Sequence, residues 1–368
     1  MSLKKRLPEI QSELSENDRP PSLADLYPRF HRRGWLITGM LLLLVAVAVV
    51  ATAFGSVEIP LTKVAGIMVS KLPLVEIPRT WTDALETIIL EIRLPRVILA
   101  GLVGAALATS GATYQGLFRN PLADPYLIGV AQGAALGAVI GFLLPAGSQS
   151  ILLVPLFAFI GALLSTFIVY NLARVGKILP MTTLILAGVA LGALLGSVVS
   201  YLIISSGDKI HGIMFWLMGS FSLSHWSEVW LVLPCVVVGT AVILLFARQL
   251  NVMQLDEEQA QHLGINVERL KLILLTVAVL ITAAAVSFVG IIGFVGIIIP
   301  HAVRLLWGAD HRLLLPLSVI AGAIFLILAD LVARTILAPT EVPIGVITAL
   351  IGAPFFFYLL RRRRRVIF

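Results

Sequence analysis

From about residue 35 to the end, long apolar runs alternate with short polar connectors. Uncharged runs of about 20 residues fit helices that cross a bilayer, whose apolar core is roughly 30 Å thick. The runs are continuously apolar rather than alternating, which excludes a membrane β-barrel. We place spans at 35–54, 97–118, 126–144, 151–172, 183–204, 228–247, 270–288, 291–307, 313–337 and 343–360. One region decides the count. No charge occurs from Leu272 to Pro300, and one helix running on to Trp307 would extend over roughly 50 Å, too long for a bilayer. Ser287-Phe288-Val289-Gly290 and Gly293 offer a break, so the pattern predicts an all-α membrane protein with ten spans.

Composition agrees with that pattern. The chain is 59% hydrophobic and 13% charged, with mean hydropathy +1.00, whereas soluble domains carry about 25% charged residues. A net charge of +7 would suit nucleic acid, but the basic residues lie between the apolar runs and at the ends. A membrane explains that distribution better, and no nucleic-acid partner is expected. With the N-terminus cytoplasmic, most Lys and Arg fall inside, among them Arg119, Arg174, Lys177, Arg248, Arg269, Lys271, Arg304, Arg312 and the run Arg361–Arg365. A nine-span arrangement would put that run outside, against the positive-inside rule. Both termini are therefore expected in the cytoplasm. Residues 1–34 are expected to be a partly disordered cytoplasmic extension, 35–362 the membrane domain, and 363–368 a basic tail. The polar start is too long and mixed for a signal peptide, so Ala51-Thr52-Ala53 is read as part of a span, not a cleavage site. A lone cysteine, Cys235, rules out an intrachain disulfide framework.

One polar insert stands out between two apolar spans, from Asn251 to Gly264. Asp256 is a good N-cap, Glu257 and Glu258 suit the first turn, and Gly264 is a good stop. A two-turn helix is not stable alone in water, so this one is expected to dock into a partner. Small residues recur at helical spacing as Gly101, Ala105, Ala108, Ala112 and as Gly188, Gly192, Gly196. Such stripes let helices approach closely in lipid. No catalytic constellation or metal-ligand cluster is legible. His301 and His311 flank one turn and read as interfacial helix-end residues. The chain has no Walker A sequence, so no phosphate-binding loop for ATP.

Five segments together carry a family resemblance. They are Glu91-Ile-Arg-Leu-Pro-Arg96; Gly104-Ala-Ala-Leu-Ala-Thr-Ser-Gly-Ala-Thr-Tyr-Gln115; Asn120-Pro-Leu-Ala-Asp-Pro125; Leu186-Ala-Gly-Val-Ala-Leu-Gly192; and the stretch from Gly290 through Pro300-His301, Asp310-His-Arg312 and Leu328–Arg334 to Pro343-Ile-Gly345. The chain resembles permease subunits of the iron-chelate and vitamin B12 family of ABC importers over about 35–362. The resemblance implies ten helices per subunit, a second permease subunit (an identical copy is expected), an ABC ATPase dimer on the cytoplasmic side, and a periplasmic or lipoprotein substrate-binding protein. It implies no cofactor and no metal held by this chain, and no enzymatic activity of its own.

The resemblance also implies roles for residues. Asp256, Glu257, Glu258, Ala260, Leu263 and Gly264 fall in the coupling helix that enters a cleft on the ATPase. Arg93, Arg96 and Arg334 match arginines that receive acidic residues of the binding protein, work suited to a guanidinium. For Arg334, pairing with Asp330 on the same helix is the alternative. Asn120, Leu122, Thr182 and Thr183 match the cytoplasmic gate, with helix capping as the alternative. Ile210–Trp226 matches a short half-helix in the outer vestibule, or is an interfacial anchor. The expected function is ATP-driven import of a bulky metal chelate, whether iron-siderophore, haem or corrinoid, by alternating access. An ion-coupled carrier or channel would need an acidic or His relay at mid-membrane depth, and an intramembrane enzyme a nucleophile with its base. Neither is legible.

Overall fold

The computed structural model describes residues 23–55, 59–71, 78–145 and 152–367; for 23–33, 358–360 and 362–367 it describes the backbone alone. The chain divides into two units, residues 1–42 and 43–368. Of the first, the described part is helical from Leu23. That helix starts well before Trp35, where the apolar run begins. The rest of the expected N-terminal extension lies outside the described residues.

In chain order the helices are α1 (Leu23–Ala53), α2 (Leu61–Ser70), α3 (Asp83–Thr87), α4 (Leu94–Leu117), α5 (Val130–Leu143), α6 (Leu153–Ala173), α7 (Met181–Ile204), α8 (Ile210–Leu217), α9 (Trp226–Leu245), α10 (Ala247–Met253), α11 (Glu257–His262), α12 (Val267–Val289), α13 (Val295–Trp307), α14 (His311–Thr335) and α15 (Ile344–Ile367). A π-helical turn, Ile88–Arg93, leads into α4, and a 3-10 turn, Pro125–Ile128, precedes α5. Each predicted span coincides with a helix. Six of the described helices are long and apolar enough to cross a membrane by length and composition, and four shorter ones are apolar. The 23-residue α12 ends at Gly290, and the break Gly290–Phe294 separates it from α13.

Helix α4 is the centre of the second unit. Most of its side chains are buried, and it packs antiparallel to α14. The crossing is made by glycine: a Cβ added at Gly104 would stand 2.2 Å from the Gly322 carbonyl oxygen. Backbone thus meets backbone, as small residues allow when lipid supplies no drive for side-chain burial. Of the expected stripes, Ala105, Ala108 and Ala112 are buried, but the closest approaches fall to Gly104 and Gly111. In α7 only Gly188 meets another backbone, and Gly192 and Gly196 stay partly exposed.

Non-helical backbone at membrane depth must find partners within the protein. Helix α5 has only 14 residues, and Lys209 Nζ donates to the carbonyls of Phe142 (2.7 Å), Leu143 (3.3 Å) and Leu144 (3.4 Å) at its end. In the α12–α13 break, Tyr126 donates its hydroxyl to the Ile292 carbonyl (3.0 Å) and accepts from the Ile292 amide (3.3 Å). Phe294 starts α13 in the left-handed region, φ 70°, a conformation that costs a non-glycine residue of order 1 kcal/mol or more.

Candidate functional site

The polar side chains gather at two opposite ends of α4. At its N-terminal end, Arg96 Nη2 lies 2.8 Å from Asp330 Oδ1 of α14, and Nη1 lies 2.7 Å from Glu341 Oε1 in the following loop. Both carboxylates are gripped by two guanidinium nitrogens, the fork geometry that favours Arg over Lys. Arg334 Nε stands 3.5 Å from the same Asp330, and its Nη2 donates to the Ala51 carbonyl. Arg93 donates to the carbonyls of Thr52 (3.0 Å) and Ala53 (2.7 Å), closing the C-terminal end of α1. All three arginines of the docking expectation therefore share one end, and all are buried or nearly so. The Arg334–Asp330 pairing that stood as an alternative is present. Glu341 is half-buried. Burial pushes its carboxyl up, but the Arg96 guanidinium and the Ser222 hydroxyl outweigh that and hold it below the usual carboxylate range.

At the other end of α4 stands the polar insert. Asp256 has extended backbone and its carboxylate accepts the Glu257 amide (2.7 Å), capping α11. The Gly264 amide donates to Gln261 (2.9 Å) and the Ile265 amide to Ala260 (3.0 Å), with Gly264 at φ 82°. That pair of bonds is the Schellman stop a left-handed glycine provides. The cap and the stop expected of this short helix are thus both formed.

Helix α11 is pinned on one side. Arg119 Nη1 lies 3.1 Å from Asp256, Gln254 donates to the Gly116 carbonyl (2.9 Å), and Lys271 Nζ lies 2.8 Å from Glu257. Ala260 is fully buried against the subunit, whereas Leu263 is 65% and Leu255 60% exposed. Ala260 of the expected coupling helix thus faces the subunit, and the exposed edge of the insert is formed by Leu255, Glu258 and Leu263. Helical periodicity in so short an element could not tell these faces apart.

The gate expectations fall on two segments whose continuations meet at Leu127 and Gly188. Asn120 Oδ1 accepts the Leu122 amide (3.0 Å), shaping the turn after α4. Thr182 and Thr183 stand in the first turn of α7, whose N-cap is Pro180, so neither threonine caps the helix. The turn after α4 runs into Pro125–Ile128, and a Cβ at Gly188 of α7 would stand 2.1 Å from the Leu127 carbonyl oxygen.

The half-helix is α8. Where it ends, backbone at 218–220 bonds to the start of α15 and the end of α12: the Gly345 amide donates to Met218 (3.0 Å), the Ile344 amide to Gly219 (3.0 Å) and the Ser220 amide to Val289 (2.8 Å). A cavity of about 700 Å³ adjoins them, lined by residues such as Met218, Ile291, Phe294, Ala349 and Leu350. Its walls are apolar.

Residues missed in the sequence are those that tie elements together. Gln115 donates to Gly296 (3.3 Å) and Ile297 (3.2 Å) and accepts from Arg304 (3.0 Å). Asn251 accepts the His311 amide (2.8 Å) and donates to Asp310 (2.7 Å). His311 is buried there, while His301 packs edge-on against Phe355. Lys271 is 1% exposed. Among the described residues no group of three or more His, Cys, Asp or Glu is placed to hold a metal ion.

Comparisons with known proteins point one way. Residues 41–362 match the model of the FecCD transport family. The cobalamin import system permease protein BtuC of Halobacterium salinarum is 48% identical over 274 residues, 74% of this chain and 73% of that one. The hemin transport system permease protein HmuU of Yersinia pestis is 42% identical over 74% of this chain and 83% of its own. A solved metal-chelate type ABC transporter in an inward-facing conformation superposes with TM-score 0.77 at 32% identity, over 89% of this chain and 99% of that one.

Proposed function

The chain belongs to the FecCD transport family, and from that premise we propose that it imports a bulky metal chelate, with α11 as the element through which ATP hydrolysis is felt. It is the permease subunit of an ABC importer, a multi-pass membrane protein that works with an ATPase and a second permease subunit. The observation that carries the role of α11 is its two-sidedness. A six-residue helix is pinned to the subunit by Arg119 and Lys271 while Leu255 and Leu263 stand exposed on its free edge. Exposed leucines on a rigid knob suit an apolar cleft, and ion pairs behind them transmit a push. The catalytic ATPase centre lies in the partner, and both termini and the α11 end face the cytoplasm, with ten crossings between.

Cargo of this class is suggested by the relatives that carry cobalamin and hemin, and by the wide apolar groove beside Met218 and Phe294. A second, identical subunit would cover the exposed face of α7. At the Arg96 end we read the docking place of a substrate-binding protein. An incoming carboxylate reaches Arg96 by taking the place of Glu341, which is the more exposed of its two partners. Arg93 and Arg334 hold the helix ends around that exchange.

The experiment is co-purification and uptake. Leu263→Asp puts a charge on the free edge and should abolish co-purification of the ATPase while leaving the subunit folded in detergent. Wild-type recovery of the ATPase would remove α11 from the coupling role. Uptake of cyanocobalamin, hemin and ferric citrate into liposomes holding the full importer then assigns the cargo, and failure with all three would break the chelate reading.

A further inference from the structure

We propose that Lys271 is the positioning residue that carries movement of α11 to the gate segment before α7. This rests on the coupling role assigned to α11 above. The Lys271 ammonium has three N–H donors, and each has a separate task. One goes to Glu257 of α11 at 2.8 Å, one to Glu268 in the first turn of α12 at 3.0 Å, and one to the Leu179 carbonyl at 3.3 Å. Glu268 closes the circuit, because its other oxygen accepts the Leu179 amide at 2.9 Å.

Both backbone polar groups of Leu179 are thus held by one ion pair. Leu179 is itself buried. Pro180, which has no amide hydrogen, follows it as the N-cap of α7, and Thr182 and Thr183 stand in the next turn. The link from coupling helix to gate is therefore a few bonds long: Glu257, Lys271, Leu179, and the start of α7. The lysine is 1% exposed, so these contacts are poorly screened by water and salt. A displaced Glu257 draws the ammonium with it or breaks the triad. In the first case Leu179 loses the geometry that fixes the first turn of α7; in the second it keeps Glu268 and Lys271 and is released from α11. Arg119–Asp256 ties the same helix to the turn after α4 that carries Asn120 and Leu122. That pair is solvent-exposed and so is the weaker of the two links.

The test uses the importer purified with its ATPase and reconstituted in liposomes. Thr183→Cys in a Cys235→Ser background reports on the gate through maleimide labelling, with and without ATP and vanadate. This parent protein is measured first. If it binds no ATPase, or its labelling does not respond to ATP, the coupling reading fails and this proposal fails with it. If the parent responds, Lys271→Met keeps the apolar stem and removes the ammonium. It should keep the ATPase bound and hydrolysing, yet shrink the ATP-dependent change in labelling by roughly fivefold or more. Lys271→Arg should restore most of that change, which a purely structural role would not require. An undiminished labelling response in Lys271→Met with ATPase bound overturns the proposal. Where Lys271→Met does not assemble, Glu257→Gln decides, since Lys271 then keeps Glu268 and only its link to α11 weakens. An undiminished response there overturns it equally.

Discussion

At one end of α4, Arg96 joins Asp330 and Glu341 across 234 and 245 residues of chain. At the other end, Lys271 joins Glu257 and Glu268 across 14 and 3 residues. Both centres are buried or nearly so, and both satisfy a cation with two carboxylates. They differ in what they connect. The Arg96 centre fastens the N-terminal end of α4 to the C-terminal end of α14, and so fixes the frame of the membrane domain. The Lys271 centre fastens a short capped helix to the start of the helix that follows it, and so attaches an appendage. Energy delivered to an appendage can shift it without unmaking the frame, whereas the buried Arg96–Asp330 contact of the frame cannot yield without a large cost to the fold. One arrangement of charges thus serves rigidity at one end and transmission at the other.

The comparison breaks most easily at Asp330. Asp330→Ala leaves the buried Arg96 and Arg334 short of their shared carboxylate and should cost about 3–5 kcal/mol. The check is thermal unfolding of the purified subunit in detergent, with loss of the monodisperse species as the extreme outcome. Glu257→Gln at the opposite end should cost about 1 kcal/mol, since Lys271 retains Glu268 and the Leu179 carbonyl. Equal losses for the two variants would mean that the Lys271 centre is part of the frame.

A middle-sized effect separates the faces of α11. Ala260→Arg forces a guanidinium into a fully buried site and should cost about 1–3 kcal/mol, together with the ATPase interaction. Leu263→Asp on the free edge should stay within about 0.5 kcal/mol of the parent and still lose the ATPase. If the two substitutions destabilise alike, α11 has no free edge.

The smallest effect is one of pH. The Glu341 carboxyl sits below its ordinary value of 4.5 in the folded protein. Its contribution to stability is therefore complete above that ordinary value and is lost as pH falls through the lowered one. The residue is half-exposed, so the contribution is small, about 1 kcal/mol or less. Melting curves taken from neutral pH into the acid range should show a steeper acid loss in the parent than in Glu341→Gln. Superimposable curves would mean that Arg96 relies on Asp330 alone.

Much of the site was legible because its signals are local. Asp256 caps α11 and Gly264 stops it through bonds to near neighbours, so residue type and position sufficed. Gly290 and Gly293 marked a break in the apolar run for the same reason. The direction in which Ala260 faces was not legible, because six residues make too few turns to display a hydrophobic face. Arg93 and Arg96 stood out as charges beside an apolar span, yet their partners Thr52, Ala53 and Glu341 carry no mark in the sequence. Lys271 read as one more basic residue at a helix end, and nothing near it announces the Leu179 carbonyl.

The amino-acid sequence by itself determined the helices, their breaks, the capped insert and the family, since each depends on length, polarity or short-range hydrogen bonding. The tertiary structure alone decided that Gly104 meets Gly322, that Arg96 meets Asp330, and that Lys271 holds Leu179. The physical reason lies in the solvent. Helices in lipid are apolar on nearly every side, so no amphipathic stripe tells which face is to be buried or against which neighbour. Close backbone packing and a few buried ion pairs make that choice instead, and they join residues that only the folded chain brings together.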